Sequence, residues 1–365
     1  MAPLLTVGIP VYNGMPFLPE AVESILSQTF DDYELLIIND GSTDGSWEYL
    51  KSLRNRRLRL ISQENRGLTT TLNRMLGEAR APWLVRLDAD DVACPNRLEL
   101  VAENINRRPE SGMFYSRAKH HQHASAVSLV RSTEATPSEL RAQTQMGYLL
   151  SVCHSSVVLN VRKALSLWGY RFNLQIEDVD LWWRMALTYE VVFIPEITVA
   201  YRLNMGSICA THLRELACHT LFAQYLLLSQ LWDLEPAPYI QVRAVLQSFL
   251  HQRRMIYREQ MWRAAILLSA RKYRQAACRM VVAACSAPIR FLQRAFYPLH
   301  RPAMIRVGEP PQTFRKMRDQ LWPVSPILDS AGETCGKETR KGRMSLLNRT
   351  SALPRNFLDE IYLHR

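Results

Sequence analysis

From Leu4 to Asp91, short apolar runs alternate with segments of helical periodicity. Leu4–Ile9 reads as a strand, and Phe17–Phe30 follows with Phe17, Ala21, Ile25 and Leu18, Val22, Leu26 at helical spacing. Tyr33–Ile38 is continuously apolar after its acidic start, as a parallel strand covered on both faces should be. Ser46–Leu53 and Thr69–Ala79 read as helices, and Leu58–Ser62 and Trp83–Leu87 as strands. This alternation predicts an α/β fold, a Rossmann-like, mostly parallel, doubly wound sheet flanked by helices.

Beyond Pro95 the pattern predicts a helix at Arg97–Arg107, strands at Met113–Lys119, Val152–Leu159 and Val191–Leu203, and helices near Pro137–Leu150 and Glu177–Tyr189. The first domain is expected to span residues 1–210. A helical basic region covers 211–300, broken at Pro236 and Pro238, and 301–365 reads as a loosely ordered basic tail without periodicity.

Each of the first four strands ends in a polar cluster: Pro10-Val11-Tyr12-Asn13, Asn39-Asp40-Gly41-Ser42, Asn65-Arg66-Gly67 and Asp88-Ala89-Asp90-Asp91. Ligands of open α/β sheets bind beyond the carboxyl ends of the strands, so the four clusters converge on one site. Asp88 and Asp90, two apart at a strand end, point to the same side. Such a pair either faces water as an acidic turn or shares a Mg²⁺ or Mn²⁺ that keeps positions open for phosphates. Asp91 either supports the pair or is solvated. Asp40 can accept from the N–H of a base or close its own Asx-turn. Tyr12 offers an aromatic face, with Pro10 fixing the turn, and Arg66 can reach a phosphate or base.

A second acidic cluster, Glu177-Asp178-Val179-Asp180, opens a helix, where carboxylates complement the positive end of the dipole. Asp180 and Arg184 stand at i, i+4 and read as an ion pair. That leaves Glu177 and Asp178 as candidate general bases. His120, His121 and His123 read as a solvated loop, and His154 as an acceptor contact or a core histidine.

Charge and cysteine usage narrow the classes. The 365-residue chain has a formal charge of +11, but residues 1–210 carry 21 basic and 23 acidic side chains. Residues 211–300 carry 12 and 4, and 301–365 carry 12 and 7. Nucleic acid is therefore not an expected partner of the first domain. The seven cysteines include no Cys-x-x-Cys, which speaks against a zinc module or disulfide framework. With no leader-like N-terminus and no long apolar run, a cytoplasmic protein is expected. Arginines at 253, 254, 258, 263, 271, 274, 279, 290 and 294 interleave with apolar residues, suiting peripheral contact of 251–294 with the inner face of an anionic membrane.

Taken in order, Pro-Val-Tyr-Asn, Asn-Asp-Gly-Ser-Thr-Asp, Asn-Arg-Gly-Leu, Asp-Ala-Asp-Asp and Glu-Asp-Val-Asp-Leu-Trp-Trp-Arg make residues 4–208 resemble the family 2 glycosyltransferases of GT-A fold. The resemblance implies transfer, with inversion, from a nucleotide-diphosphate sugar, UDP or dTDP ahead of GDP, to a glycan or lipid-linked acceptor in surface polysaccharide or lipopolysaccharide synthesis. It implies that Pro10, Tyr12, Asn13, Asp40, Arg66 and Asp88 hold the nucleotide, and that Asp88 and Asp90 hold Mg²⁺ or Mn²⁺. Asp178 would be the base, with Glu177 as its substitute. Asn204 stands where the family often has the His of Tyr-Arg-x-His, and would contact the diphosphate. A sugar nucleotidyltransferase should show a Gly-rich phosphate loop after the first strand, which Gly8 and Gly14 do not form. A catalytically silent scaffold is suggested by Asn204 and opposed by the four carboxylates.

Overall fold

The computed structural model describes residues 2–121, 129–171, 174–203, 212–288, 316–318 and 320–321. Eight strands, β1 (Leu5–Val11), β2 (Tyr33–Asp40), β3 (Leu58–Gln63), β4 (Trp83–Arg86), β5 (Val92–Ala93), β6 (Met113–His120), β7 (Val158–Asn160) and β8 (Val191–Tyr201), form one sheet in the order β3-β2-β1-β4-β7-β6-β8-β5. The first four are parallel neighbours, β7 runs antiparallel to both β4 and β6, β8 is parallel to β6, and β5 is antiparallel to β8. All strands except β7 and β5 thus point one way, and the α/β sheet expected from the sequence is present.

Every residue of β1 and β2 is buried, because helices cover both faces. Side chains alternate across the sheet. Leu35 and Ile37 join a core with Val22 and Ile25 of α1 (Leu18–Leu26), while Leu36 and Ile38 join Leu72 and Met75 of α3 (Leu68–Glu78) on the other side. α3 lies so close that a Cβ on Gly8 would stand 2.2 Å from the Met75 sulfur.

Several boundaries differ from the sequence reading. β1 runs on through Pro10, which is buried inside the strand. Pairing to β4 ends at Gly8↔Arg86, so a missing N–H beyond that point breaks no ladder bond. The expected strand Val152–Leu159 is broken by a 3₁₀ turn, His154–Ser156, leaving only β7. Ser156 Oγ donates to the Cys153 carbonyl 2.8 Å away, a local bond that competes with the ladder. The helix expected over Pro137–Leu150 starts with a Thr136/Glu139 capping box and stops at Gln145, two residues before Gly147 at φ 85°. β5 and the helix Val161–Ser166 are too short for periodicity to reveal.

A helical region follows, as expected, with helices at Leu213–Trp232, Tyr239–Ser248, Gln252–Ser269 and Tyr273–Ser286. Phe222, Tyr225 and Leu226 of the first share a core with Ile176 and Trp183, so this region buttresses the helix α7 (Glu177–Thr188). Among the described residues no helix is long and apolar enough to cross a membrane. Most of the 301–365 tail lies outside the described residues.

Candidate active site

The loops after β1, β2 and β3 meet beyond the carboxyl end of the sheet. Asn13, at φ 52°, donates its N–H to Ser42 Oγ at 3.0 Å and accepts from the Thr43 N–H at 2.8 Å through Oδ1. The N–H groups of Gly14 and Met15 donate to Ser46 Oγ (3.0 Å) and Asp44 Oδ2 (2.8 Å). Asp40, 3% exposed, accepts from the N–H groups of Arg66 and Gly67, both at 2.9 Å, and from Gln63 Nε2 at 2.7 Å. Its carboxylate therefore anchors the loop after β3 instead of closing its own turn. Gly41, at φ 75°, leaves no room there, since a Cβ would stand 2.7 Å from the Asn65 nitrogen. Tyr12 (55% exposed) and Arg66 stay open to solvent beside this network, whereas Pro10 is part of the strand beneath it.

The acidic turn after β4 is held from both sides by residues far along the chain. Arg86, 1% exposed in an otherwise apolar strand, pairs with Asp88 Oδ2. Burial works against the Asp88 charge, but the Arg86 guanidinium prevails and holds the carboxyl at about 2. Ser155 Oγ lies 2.8 Å from Asp88 Oδ2 and also contacts Asp91 Oδ2. One hydroxyl proton cannot serve two carboxylates, so one carboxyl carries its own. Burial, with the charges of Asp88 and Asp90, pushes fully buried Asp91 well above the usual carboxylate range, making it that one. Asp90 is pushed up to about 6 by burial and by Asp88. Arg202 completes the cage: its N–H donates to Asp91 Oδ1 at 2.8 Å, its Nε to the Asp90 carbonyl at 2.9 Å, and its Nη2 pairs with Glu20.

The start of α7 lies on the other side of the His154–Ser156 turn. His154 Nδ1 is 4.0 Å from Asp178 Oδ2, and its Nε2 is 3.2 Å from the Tyr170 hydroxyl. Burial, and secondarily Arg86, keeps this histidine neutral, well below its ordinary value. Burial raises Asp178 to about 6, and burial together with Asp178 raises Glu177 to about 8. Asp180 is fully buried between Arg171 (2.7 Å) and Arg184 (2.7 Å), whose charges outweigh its desolvation and lower its pKa. It is an ion-pair partner, as read from its spacing.

The structure thus brings Tyr12, Asn13, Asp40 and Arg66 into one hydrogen-bonded set of loops. The same turn joins Asp88–Asp91 to Asp178. Asn204 and His123 lie outside the described residues. The expected solvated histidine loop is corrected at His120, which ends β6, packs 6.1 Å from the Tyr201 ring, and has its pKa lowered by burial. Sequence reasoning missed Arg86, Arg97, Ser155 and Arg202. Only Arg86 carried a local signal, a charge inside an apolar strand, since a buried charge demands a partner. Among the described residues no three His, Cys, Asp or Glu side chains are grouped to hold a metal by themselves.

Residues 6–168 match the glycosyl transferase family 2. EpsE of Bacillus subtilis (strain 168), named as a glycosyltransferase, is 30% identical over 195 residues, covering 50% of this chain and 66% of that protein. The chondroitin synthase of Pasteurella multocida (strain Pm70) is 37% identical over 100 residues, covering 27% and 10%. The mannosyltransferase PcManGT from Pyrobaculum calidifontis, solved in complex with GDP-Man and Mn²⁺, overlays at a TM-score of 0.49 with 17% identity, over 88% of this chain and 85% of that one. The chain belongs to the family 2 glycosyltransferases. Its match spans 66%, 33% and 41% of the lengths of three curated relatives.

Proposed function

We propose that this protein transfers a sugar, with inversion, from a nucleotide-diphosphate donor to an acceptor hydroxyl in the synthesis of a surface polysaccharide or related glycoconjugate. The observation that carries this reading is the His154–Ser155 step. Ser155 touches Asp88 and the residue before it, His154, faces Asp178 at 4.0 Å, so one turn sets a phosphate-side carboxylate against a candidate base.

Tyr12 and the Asp40-anchored loop suit a nucleoside, Tyr12 through its exposed ring and Arg66 through its exposed guanidinium. UDP and dTDP sugars are the first choices. Asp88 and Asp90 supply hard oxygen atoms that fit Mg²⁺ or Mn²⁺, a cation that would be completed by diphosphate oxygens rather than by a third protein ligand. When bound, such an ion neutralises charge on the departing diphosphate. Asp178 takes the acceptor proton. Its raised pKa, near 6, makes it a stronger base than an ordinary aspartate while it remains mostly ionised at neutral pH. One base opposite the leaving group, and no nucleophilic side chain in the scheme, gives inversion. Glu177, raised to about 8, stays protonated near neutrality and suits a hydrogen-bond donor better than the base. The exposed Tyr273, Val281 and Val282, among Arg271, Lys272, Arg274 and Arg279, suit contact with an anionic membrane near a lipid-linked acceptor.

Incubation with UDP, dTDP and GDP sugars and Mn²⁺ tests the reading. Release of a nucleoside diphosphate is expected for one of them. Pyrophosphate release from a nucleoside triphosphate and a sugar 1-phosphate, with the sugar nucleotides left intact, would instead identify a nucleotidyltransferase, and nucleotide-sugar binding without turnover would leave a scaffold.

A further inference from the structure

Ser155 stands 67 residues from Asp88 in sequence, is fully buried, and directs its hydrogen bonds to the acidic turn and to Arg86, whose Nη1 lies 3.4 Å away. Its Oγ accepts the Asp88 N–H at 3.1 Å, lies 2.8 Å from Asp88 Oδ2, and meets Asp91 Oδ2. A hydroxyl has one proton and two lone pairs, so the group is saturated. Its own backbone is tied down as well. Arg97, also fully buried, donates from Nη2 to the carbonyls of Arg86 (2.7 Å) and Ser155 (2.6 Å), stapling the end of β4 to the 3₁₀ turn.

The consequence falls on Asp88. Oδ2 is committed to Arg86 and Ser155, and among the described residues none donates to Oδ1. With one carboxylate oxygen held by both Arg86 and Ser155, the carboxylate cannot rotate about χ2 without breaking those two contacts, and the Asp88 N–H fixes the backbone to the same hydroxyl.

We propose that Ser155 is a positioning residue that holds the Asp88 carboxylate in one orientation, Oδ1 outward, for the divalent cation and diphosphate. This rests on the proposed role of Asp88, and it adds a residue to which no motif points. Groups that orient a metal-binding side chain commonly contribute 10- to 100-fold to metal affinity.

The test uses the full chain with Mn²⁺ alone as probe, by paramagnetic resonance titration, and then UDP with saturating Mn²⁺ by calorimetry. Ser155→Ala is expected to weaken Mn²⁺ binding by about 10-fold or more, with the metal-free circular dichroism spectrum unchanged. Ser155→Cys, which keeps the side-chain shape with a larger and weaker-donating atom, is expected to fall between Ser155→Ala and the wild type, and replaces Ser155→Ala should that variant fail to fold. Wild-type Mn²⁺ affinity in either folded variant overturns the proposal. Asp88→Ala is the control: if it too binds Mn²⁺ and UDP normally, the functional reading itself fails, whereas loss of binding in Asp88→Ala alone removes only the role of Ser155.

Discussion

His154 Nδ1 stands 4.0 Å from Asp178 Oδ2, and the same imidazole packs edge-on against Trp182, whose ring centroid is 5.5 Å away. Trp182 lies one helical turn beyond Asp178, so the histidine supports the helix start at two points. It is neutral, and therefore places no counter-charge beside the aspartate on that side.

Asp178→Asn should lower turnover by about 10²–10⁴-fold, the usual contribution of a general base, while UDP affinity is retained. In the wild type the base must be deprotonated. Turnover should therefore fall as pH drops through about 6, the value to which burial raises Asp178. A pH–rate profile flat from 5 to 8 would remove Asp178 from this role.

Asp90→Ala should abolish the Mn²⁺ dependence of UDP binding and leave the melting temperature nearly unchanged, since among the described residues its side chain makes no hydrogen bond that holds two elements together. Calorimetry with and without Mn²⁺ decides it.

Glu177 has its pKa raised from 4.5 to about 8, so its protonated form favours the folded state. That stability is complete below about 4.5 and drains away as pH rises through 8. Glu177→Gln removes the titration. The variant should thus gain thermal stability relative to the wild type between pH 5 and 9, read as the difference of their melting temperatures.

Asp180→Asn should cost about 3–5 kcal/mol, because it leaves Arg171 and Arg184 without their buried counter-charge. Urea denaturation measures the loss. A cost under about 1 kcal/mol would class the pair with surface ion pairs.

Asp40→Ala strips the acceptor from the N–H groups of Arg66 and Gly67, at about 1–3 kcal/mol. Loosening that loop should also weaken UDP binding. Stability lost with UDP affinity intact would show that the carboxylate serves the loop and not the nucleotide.

The strand-end clusters were readable in the sequence because strand termination and turn chemistry are local. Asn39-Asp40-Gly41 announces its turn from three adjacent letters. The partner of Asp40 was not readable, since Arg66 and Gly67 become its neighbours only once β2 and β3 pair. Ser155 is a sharper case. It sits in an unremarkable Cys-His-Ser-Ser run, and its meaning depends on β7 pairing antiparallel to β4 across more than seventy intervening residues. Asp180 was legible because its partner Arg184 is one helical turn away, whereas Arg171 reaches it only through the loop before α7. Pro10 was misplaced because proline usually ends a strand, a rule that fails where one flank of the strand has already lost its neighbour.

The near-contact of Gly8 with the Met75 thioether bears on how such a protein can diversify. The floor beneath the strand-end loops has no spare volume at this point, so one added methyl group at Gly8 must displace the Met75 and Leu84 side chains packed over it. Innovation in what is transferred, and to what, is thereby channelled to the rim and to the later loops, while the floor admits almost no drift.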